Sequence, residues 1–403
     1  MPGLEQVYWT LPIVAYPFIS GLIAGSFIVG SLAKVFGQKQ YEPLAKLSLL
    51  VTLAFILFAP VGPLADAHQP SRWWELYARP HIPDAPMGLF TMIWTAYVAL
   101  VLVETYIAFR VPMYQLSKVT QGWKGKLYRF LTFGSTDMSD RRLHRDHLWL
   151  VTLAGIGIFL AFSFHGYIGF IFGAIKARPL WHNALMMPMF ITSAILSGIA
   201  LMVIVYSIMF RYFSRSRKVD RNLVSGLVKL MIWVLLVDLF LDVVDLLNTM
   251  PGAYADDATA AGFSAIFVHG PLAGTFWIGQ LGMLVLALVL ALFRSVRNSP
   301  VWASLASLSA LISIWFMRYN TVIGGELQPK SSQGIILYHP AMFGEGSVQV
   351  VFGLFMFILF VFSALTMFFP WDDEDTLYRL DHPSLMERSI RNGDKGGVRN
   401  AHQ

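Results

Sequence analysis

The chain has 403 residues, of which 56% are hydrophobic and only 13% are charged. Its mean hydropathy of +0.58 lies far outside the range of soluble globular proteins, so the composition indicates an integral membrane protein. The sequence contains no cysteine, which excludes disulfides, a catalytic thiol and iron–sulfur clusters held by this chain. The net charge of +6 fits contact with anionic lipids rather than with nucleic acid.

Nine apolar stretches are each long enough to cross a bilayer as a helix, which takes about 20 residues. Lipid offers no hydrogen-bond partners to a bare backbone, and the sequence lacks the alternating pattern of a membrane β-barrel, so each stretch is predicted to be helical. We therefore expect an all-α integral membrane protein, a bundle of about nine transmembrane helices in residues 1–370 with a polar cytoplasmic tail in residues 371–403. The nine stretches cover residues 11–36, 44–65, 87–109, 148–173, 183–210, 223–249, 262–293, 301–324 and 343–369.

The basic residues are distributed unevenly between the loops. If the N-terminus lies outside, most of the 30 Lys and Arg residues fall in loops on the inner side, above all in segments 110–145 and 211–229. Loops rich in Lys and Arg stay on the cytoplasmic side of a membrane. The N-terminus is therefore predicted outside and the C-terminus inside.

Polar residues stand where the fourth apolar stretch reaches the outer side. His165 and Tyr167 lie near its end, and a basic turn with Arg178 and Trp181 leads to the fifth stretch. Imidazole and phenol groups at a membrane boundary can exchange protons and form hydrogen bonds with a ligand. We interpret His165 and Tyr167 as candidate ligand contacts, and Arg178 and Trp181 as residues that shape the turn.

The end of the second stretch carries a second polar group. Asp66, His68 and Arg72 lie within seven residues, next to Trp73 and Trp74. Tryptophans are common at membrane interfaces, but a carboxylate at the end of a span needs a partner. Arg72 is the nearest candidate partner of Asp66.

Three carboxylates lie within the sixth stretch. Asp238, Asp242 and Asp245 are spaced by four and three residues, which places them on one face of a helix. A charged aspartate in mid-membrane costs at least about 2.5–3.5 kcal/mol, so such residues usually face the bundle interior and often carry protons or ions. Proton transfer is therefore predicted for this row, with Arg318 as its counter-ion. Glu104, near the inner end of the third stretch, is expected to reach the basic inner loop.

Five short segments, in this order, resemble one known family. They are Gly21–Phe27, Pro70–Trp73 with Pro86 and Met87, Ala177–Trp181 with Pro188 and Gly198, Gly270–Trp277, and Arg318–Asn320 with Gly324 and Gly325. Together they resemble the NrfD/PsrC-type membrane subunits of respiratory molybdoenzymes, which also occur beside periplasmic hydrogenases and in alternative complex III. Nine spans are typical of the longer members.

The resemblance implies a function. Such proteins exchange electrons between membrane quinone, menaquinone or ubiquinone, and an extracytoplasmic ferredoxin-like iron–sulfur subunit, which serves a molybdopterin or other catalytic subunit. They carry no haem or iron–sulfur cluster of their own and reside in the bacterial or archaeal cytoplasmic membrane. The resemblance places the quinone headgroup near the outer face, where the matching polar residues are Asp66, His68, Arg72, His165 and Tyr167.

Two other classes of function remain open. A proton or ion transporter could be built on the row of three aspartates and would act without partner subunits, although no convincing internal repeat is visible. A haem b quinol oxidoreductase would need two buried axial ligands at matching depth. His165 is the only histidine that the sequence places clearly within a helix.

Overall fold

The computed structural model describes residues 7–66, 69–82, 86–135, 137–214, 218–252, 254–331 and 334–372. His68 and the predicted tail beyond Asp372 lie outside the described residues. The bundle is built mainly from α1 (Leu11–Val35), α2 (Glu42–Ile56), α3 (Pro86–Val119), α4 (Asp140–Gly173), α5 (Met186–Ile208), α6 (Arg221–Thr249), α7 (Thr275–Leu292), α8 (Pro300–Leu327) and α9 (Val348–Phe368). Shorter helical segments are Lys39–Tyr41, Val61–Asp66, Pro70–Arg72, Glu75–Ala78, Gly122–Leu131, Met209–Phe213, Asp257–Phe263, Ser264–Val268 and Arg294–Arg297.

Eight helical segments of the described residues are long and apolar enough to cross a membrane. They match the predicted stretches except for residues 223–249. That stretch also forms one helix, α6, whose 29 residues span about 43 Å at 1.5 Å per residue. Three aspartates lie within its apolar part. The prediction of an all-α membrane bundle is confirmed.

The helices begin where the sequence supplies suitable residues. Proline, whose missing N–H costs nothing in the first turn, starts α3 and α8 and lies in the first turn of α1. Ser139 and Asp220 cap α4 and α6 by accepting hydrogen bonds from the backbone N–H groups of Arg142 and Asn222. These signals explain why α4 begins at Asp140, eight residues before the predicted apolar stretch.

The seventh predicted stretch, residues 262–293, is not one continuous helix. Its first part ends in the π-helical turn Ser264–Val268, and α7 starts only at Thr275. Gly270 and Pro271 lie in the interruption, where proline removes a backbone donor and prevents a regular helix. The first part of α7, Thr275–Gly282, is also π-helical, a geometry that is frequent at functional sites.

Helix α1 lies at the centre of the bundle, against α2, α4, α5 and α8. Most of its residues are buried. Gly25 of α1 crosses Gly198 of α5 so closely that a methyl group on either would overlap the backbone of the other. Small residues thus let α1 and α5 approach closely, which brings the polar groups of both helices within reach of each other.

Both ends of the bundle are closed by polar contacts. At the end that holds residues 7–10, called the outer end after the predicted orientation, the side chain of Glu326 accepts hydrogen bonds from the backbone N–H groups of Tyr8 and Trp9. At the inner end, Arg110 is fully buried and its Nε donates to Asp146 at 2.8 Å. Arg142 pairs with the same carboxylate at 3.1 Å.

Candidate functional site

His165 lies in the interior of the bundle, with only 1% of its surface exposed. Its Nδ1 is 3.0 Å from the hydroxyl of Ser20 on α1, and its Nε2 is 3.0 Å from Nη2 of Arg318 on α8. Its ring stacks on Phe190 of α5 at 5.5 Å between centroids. Four helices therefore meet at this histidine.

These contacts assign the protonation state of His165. A guanidinium group can only donate hydrogen bonds, so Nε2 of His165 is the acceptor from Arg318. The ring proton then lies on Nδ1 and is donated to Ser20, whose own hydroxyl donates to the carbonyl of Pro17 at 3.1 Å. In this arrangement His165 is neutral.

Arg318 is fully buried and is held mainly by uncharged groups. Its Nη2 donates to Ser193 at 2.6 Å, and its guanidinium lies 3.9 Å from the centroid of the Phe190 ring. Among the described residues no ion pair involves Arg318. Asp238 interacts with it electrostatically over a longer distance. Arg318 therefore makes no direct contact with the row of aspartates among the described residues, and its predicted role as their counter-ion stays a prediction.

The row of aspartates continues into a chain of amides. Asp238 and Asp242 are buried, and Asp242 accepts a hydrogen bond from Gln280 Nε2 at 3.4 Å. The side-chain oxygen of Gln280 accepts a hydrogen bond from the side-chain amide of Asn320 at 2.9 Å. The side-chain oxygen of Asn320 in turn accepts one from the Thr275 hydroxyl at 2.7 Å. Helices α6, α7 and α8 are thus linked by one line of polar side chains.

Asp245 stands at the outer end of this row. It accepts a hydrogen bond from the side chain of Asn183, in the turn before α5. A cavity of about 50 Å³ opens beside it and is also lined by Gln280, Asn320 and Thr321. One water molecule needs about 10–15 Å³, so this cavity has room for a few.

Those residues predicted to contact a ligand that the structure describes do not meet in one pocket. Tyr167 is two residues from His165, about 200° around the helix, and is partly exposed on another side of α4. Asp66 binds Thr10, through the backbone N–H at 2.9 Å and the hydroxyl at 2.5 Å, instead of Arg72. The expected pairing of Asp66 with Arg72 is therefore wrong, because the N-terminal segment returns over the end of the short helix Val61–Asp66.

Arg72 pairs with a closer carboxylate. Its guanidinium makes two hydrogen bonds to Glu75, at 2.8 and 2.7 Å, and these bonds lower the pKa of Glu75. Both residues line an open groove of about 460 Å³ at the outer end, together with Arg79 and His81. In the predicted turn after α4, Arg178 is buried and donates to the backbone carbonyls of Glu326 and Gln328. That turn is thus fastened to the end of α8.

An apolar pocket lies next to the outer groove, with which it shares Leu76 and Met87. Its volume of about 340 Å³ is within the range of ligand sites, roughly 300–1,000 Å³. Three structural parts form it, namely α1, the end of α2 with the segments after it, and the start of α3. The lining residues are Tyr16, Leu57, Ala59, Pro60, Val61, Pro63, Leu64, Trp73, Leu76, Tyr77, Met87, Phe90, Thr91 and Trp94.

Most polar side chains of this pocket already have partners. The Thr91 hydroxyl donates to the carbonyl of Met87, Trp94 Nε1 donates to the carbonyl of Ile56, and the Tyr77 hydroxyl bonds to Thr95. The Tyr16 hydroxyl is buried and has no hydrogen-bond partner among the described residues. Of the three hydroxyls that line the pocket, the one on Tyr16 therefore has unused hydrogen-bonding capacity.

The sequence assigned no site role to Tyr16, Gln280 or Asn320, although Asn320 belongs to one of the segments that carry the resemblance. A single tyrosine in an apolar span is indistinguishable from a core residue, so Tyr16 gives no signal before the pocket is seen. The two amides do give a weak signal, because uncharged polar residues inside apolar spans commonly bond between helices.

Comparison with known proteins gives a consistent result. The family model described as "Polysulphide reductase, NrfD" matches residues 2–330. The C subunit of selenate reductase from Mesobacillus selenatarsenatis is 28% identical over 376 residues, 90% of this chain and 85% of that protein. The Hdr-like menaquinol oxidoreductase integral membrane subunit of Archaeoglobus fulgidus is 23% identical, over 81% and 73%. The C subunit of polysulfide reductase from Wolinella succinogenes is 25% identical, over 80% and 97%.

Proposed function

Because this chain belongs to the NrfD polysulphide reductase family and is a multi-pass membrane protein, we propose that it binds membrane quinone and exchanges electrons between the quinone pool and an extracytoplasmic iron–sulfur subunit. That subunit would serve a molybdopterin or other catalytic subunit of the same complex. The relatives support this proposal, because they are named as subunits of selenate and polysulfide reductases and of a menaquinol oxidoreductase. A stand-alone transporter has no such support.

The apolar pocket beside Tyr16 is the observation that carries the proposal. A quinone is a flat aromatic ring with two carbonyl oxygens and an apolar tail, so it needs apolar walls and a hydrogen-bond donor. Phe90 and Trp94 supply aromatic walls, and the Tyr16 hydroxyl supplies the donor. The pocket lies at the outer end, where an extracytoplasmic iron–sulfur subunit would be close enough to exchange electrons.

His165 and Arg318 lie one layer deeper than this pocket. Phe90, in the pocket wall, stacks on Phe164 at 5.4 Å, and Phe164 is adjacent to His165 in the chain. Ser20, the partner of His165, is one helical turn from Tyr16 on α1. In this proposal the guanidinium of Arg318 stabilises negative charge on the quinone, and His165 positions Arg318 and exchanges a proton.

The other residues that were predicted to contact the quinone would act around the pocket. Arg72 lines the groove that adjoins the pocket, so it would bind the iron–sulfur subunit rather than the quinone. Asp66 would hold the N-terminal segment over the outer end through Thr10. Tyr167 faces another side of α4, where it would contact lipid or the quinone tail. His68 lies outside the described residues, and its proposed contact with the quinone rests on the resemblance alone.

The proposal includes proton transfer along α6. Oxidation of one quinol releases two electrons and two protons, and reduction takes them up. Asp238 is close enough to Arg318 to interact with it electrostatically, and Asp242 follows one helical turn later. Asp245 lines the cavity that has room for water. These three carboxylates form a candidate route for protons within the bundle.

Replacing Tyr16 by phenylalanine tests the quinone site. The variant keeps the ring but loses the hydroxyl, so we expect binding of a short-chain quinone to weaken about 2- to 13-fold, the value of one hydrogen bond of about 0.5–1.5 kcal/mol. Quenching of tryptophan fluorescence in the purified complex measures the Kd, since Trp73 and Trp94 line the pocket. Tyr254→Phe, at an exposed position, is the matched control. Equal Kd values for the wild type and Tyr16→Phe would contradict this role of Tyr16.

Replacing Asp242 by asparagine tests the proton route. The amide keeps the shape of the carboxylate but cannot carry a proton, so we expect quinol turnover to fall on the order of 10²-fold while the Kd for quinone stays the same. Stopped-flow measurement of quinol oxidation by the purified complex gives the rate. The control is Asp257→Asn, at the start of a short outer helix. Unchanged turnover and unchanged proton movement in Asp242→Asn would exclude this route.

A further inference from the structure

Helix α3 carries three buried polar atoms for which the described residues provide no hydrogen-bond partner. They are the hydroxyl of Tyr97, Oε2 of Glu104 and the hydroxyl of Thr105. The exposed fractions of these residues are 0%, 1% and 4%, respectively. A buried polar group without a partner is unfavourable, and in membrane proteins a buried carboxylate is more unfavourable still. Groups of this kind normally bond to internal water molecules.

Glu104 is joined to the inner end of the bundle by an ion pair. Its Oε1 is 2.9 Å from Nζ of Lys34, in the last turn of α1, and both side chains are almost fully buried. The exposed segment 36–40 begins two residues after Lys34. The expectation that Glu104 reaches toward the basic loop is therefore wrong. It turns inward to α1, and Lys34 lies between it and the inner surface.

The same face of α3 leads from Glu104 to the quinone pocket. Phe90, Tyr97 and Glu104 recur every seven residues, so they share one side of the helix at intervals of about 10 Å. Phe90 and Trp94 line the pocket, and Trp94 is one turn from Tyr97. The ring of Tyr97 also contacts Phe164 at 5.6 Å, and Phe164 stacks on Phe90. Tyr97 thus stands midway between the pocket wall and Glu104.

The Glu104 carboxylate and the Tyr97 hydroxyl influence each other through their electrostatic interaction. The two groups are close enough to interact electrostatically, but they make no direct hydrogen bond. Two or three water molecules would complete the connection and would provide partners for all three polar atoms. The chemistry of the site is then that of a hydrated carboxylate with a phenol on one side and an ammonium group on the other.

We propose that Tyr97, Glu104 and Thr105 bind a chain of internal water molecules that exchanges protons between the inner side of the membrane and the quinone pocket. This inference rests on the proposed quinone function and adds a second route on α3, separate from the aspartates of α6. When a quinol is oxidised, its two electrons pass to the iron–sulfur subunit. One of its two protons passes through Tyr97 and water to the Glu104 carboxylate, and the other leaves along the aspartates of α6. Lys34 neutralises the Glu104 carboxylate and lies where the proton leaves toward the inner side of the membrane. Reduction of a quinone runs through the same steps in reverse.

The test uses the whole complex in liposomes that contain a trapped pH dye. A membrane-impermeant electron acceptor added outside the liposomes supports turnover only of complexes whose outer end faces the medium. In those complexes the inner end faces the lumen, so protons released at the inner end enter the lumen. For the wild type we expect lumenal acidification during quinol oxidation. In Glu104→Gln the lumenal proton signal should fall on the order of 10²-fold, because an amide cannot carry a proton. Asp140→Asn, an exposed acidic position at the start of α4, is the control.

Glu104→Gln leaves Lys34 without its ion-pair partner, so a double variant that also replaces Lys34 is needed. Lys34→Gln with Glu104→Gln removes both charges of this buried pair, so the variant should fold and bind quinone with the wild-type Kd while still failing to acidify the lumen. Lumenal acidification at the wild-type rate in this folded variant would overturn the proposal, and so would a wild type that releases no protons into the lumen. The Kd for quinone separates the two proposals. If the wild type binds no quinone, the proposed function fails, whereas normal binding with unchanged lumenal protons in the double variant refutes only the route on α3.

Discussion

Arg318→Met is expected to reduce quinol turnover by about 10²-fold or more, the effect of removing one preorganised donor beside developing charge. Methionine preserves the unbranched shape but removes the positive charge one layer below the proposed quinone pocket. His165 Nε2 and the Ser193 hydroxyl both lose their donor, and Asp238 loses the cation that attracts it. Because Arg318 has no ion-pair partner among the described residues, the variant should still fold. Turnover of the purified complex with a quinol analogue is the measurement.

Two further variants show whether the loss of turnover is specific to the guanidinium of Arg318. Arg318→Lys restores the charge but cannot donate from one planar group to both neighbours, so it should recover only part of the turnover. Arg294→Met, at an exposed position after α7, should behave as the wild type. Wild-type turnover in Arg318→Met would show that the buried guanidinium has no part in the reaction.

Asp146→Asn is expected to lower the free energy of unfolding by about 3–5 kcal/mol, the usual effect of leaving a buried charge unpaired. Arg110 is fully buried, and two of its nitrogens donate to Asp146. The amide removes the negative charge and leaves the guanidinium without a counter-ion. Titration with a denaturing detergent, followed by far-UV circular dichroism, measures the change in the purified protein.

The double variant Arg110→Met with Asp146→Leu is the matched comparison for this ion pair. Removing both charges removes the desolvation penalty, so stability should return to within a few kcal/mol of the wild type. If Asp146→Asn is as stable as the wild type, Arg110 must have another counter-charge, and the buried ion pair does not close the inner end.

The architecture could be predicted because apolar length determines it. About 20 apolar residues in a row have no stable alternative to a helix in lipid, so the helices appear where hydropathy places them. The exceptions have local causes. Ser139 starts α4 early by capping it, and Gly270 with Pro271 interrupts the predicted seventh span.

The site was harder to predict because its contacts join distant parts of the chain. Spacing indicated that the aspartates share a face, and Asp238 and Asp242 are indeed both buried. It could not indicate that Asp66 would bind Thr10, since that contact depends on the return of the N-terminal segment. His165 was recognised as a candidate, but both of its ring nitrogens bond to protein groups, which also argues against a haem ligand.

The central claim is that quinone binds in the pocket formed by α1, α3 and the segments after α2. A photoreactive quinone analogue, irradiated in the purified complex and mapped by mass spectrometry, tests this claim most directly. We expect attachment within the segments around Tyr16 and Phe90–Trp94, suppressed by excess unlabelled quinone and reduced in Tyr16→Phe. Competable attachment confined to the cavity beside Asp245, or to Tyr167 and the lipid-facing side of α4, would contradict it.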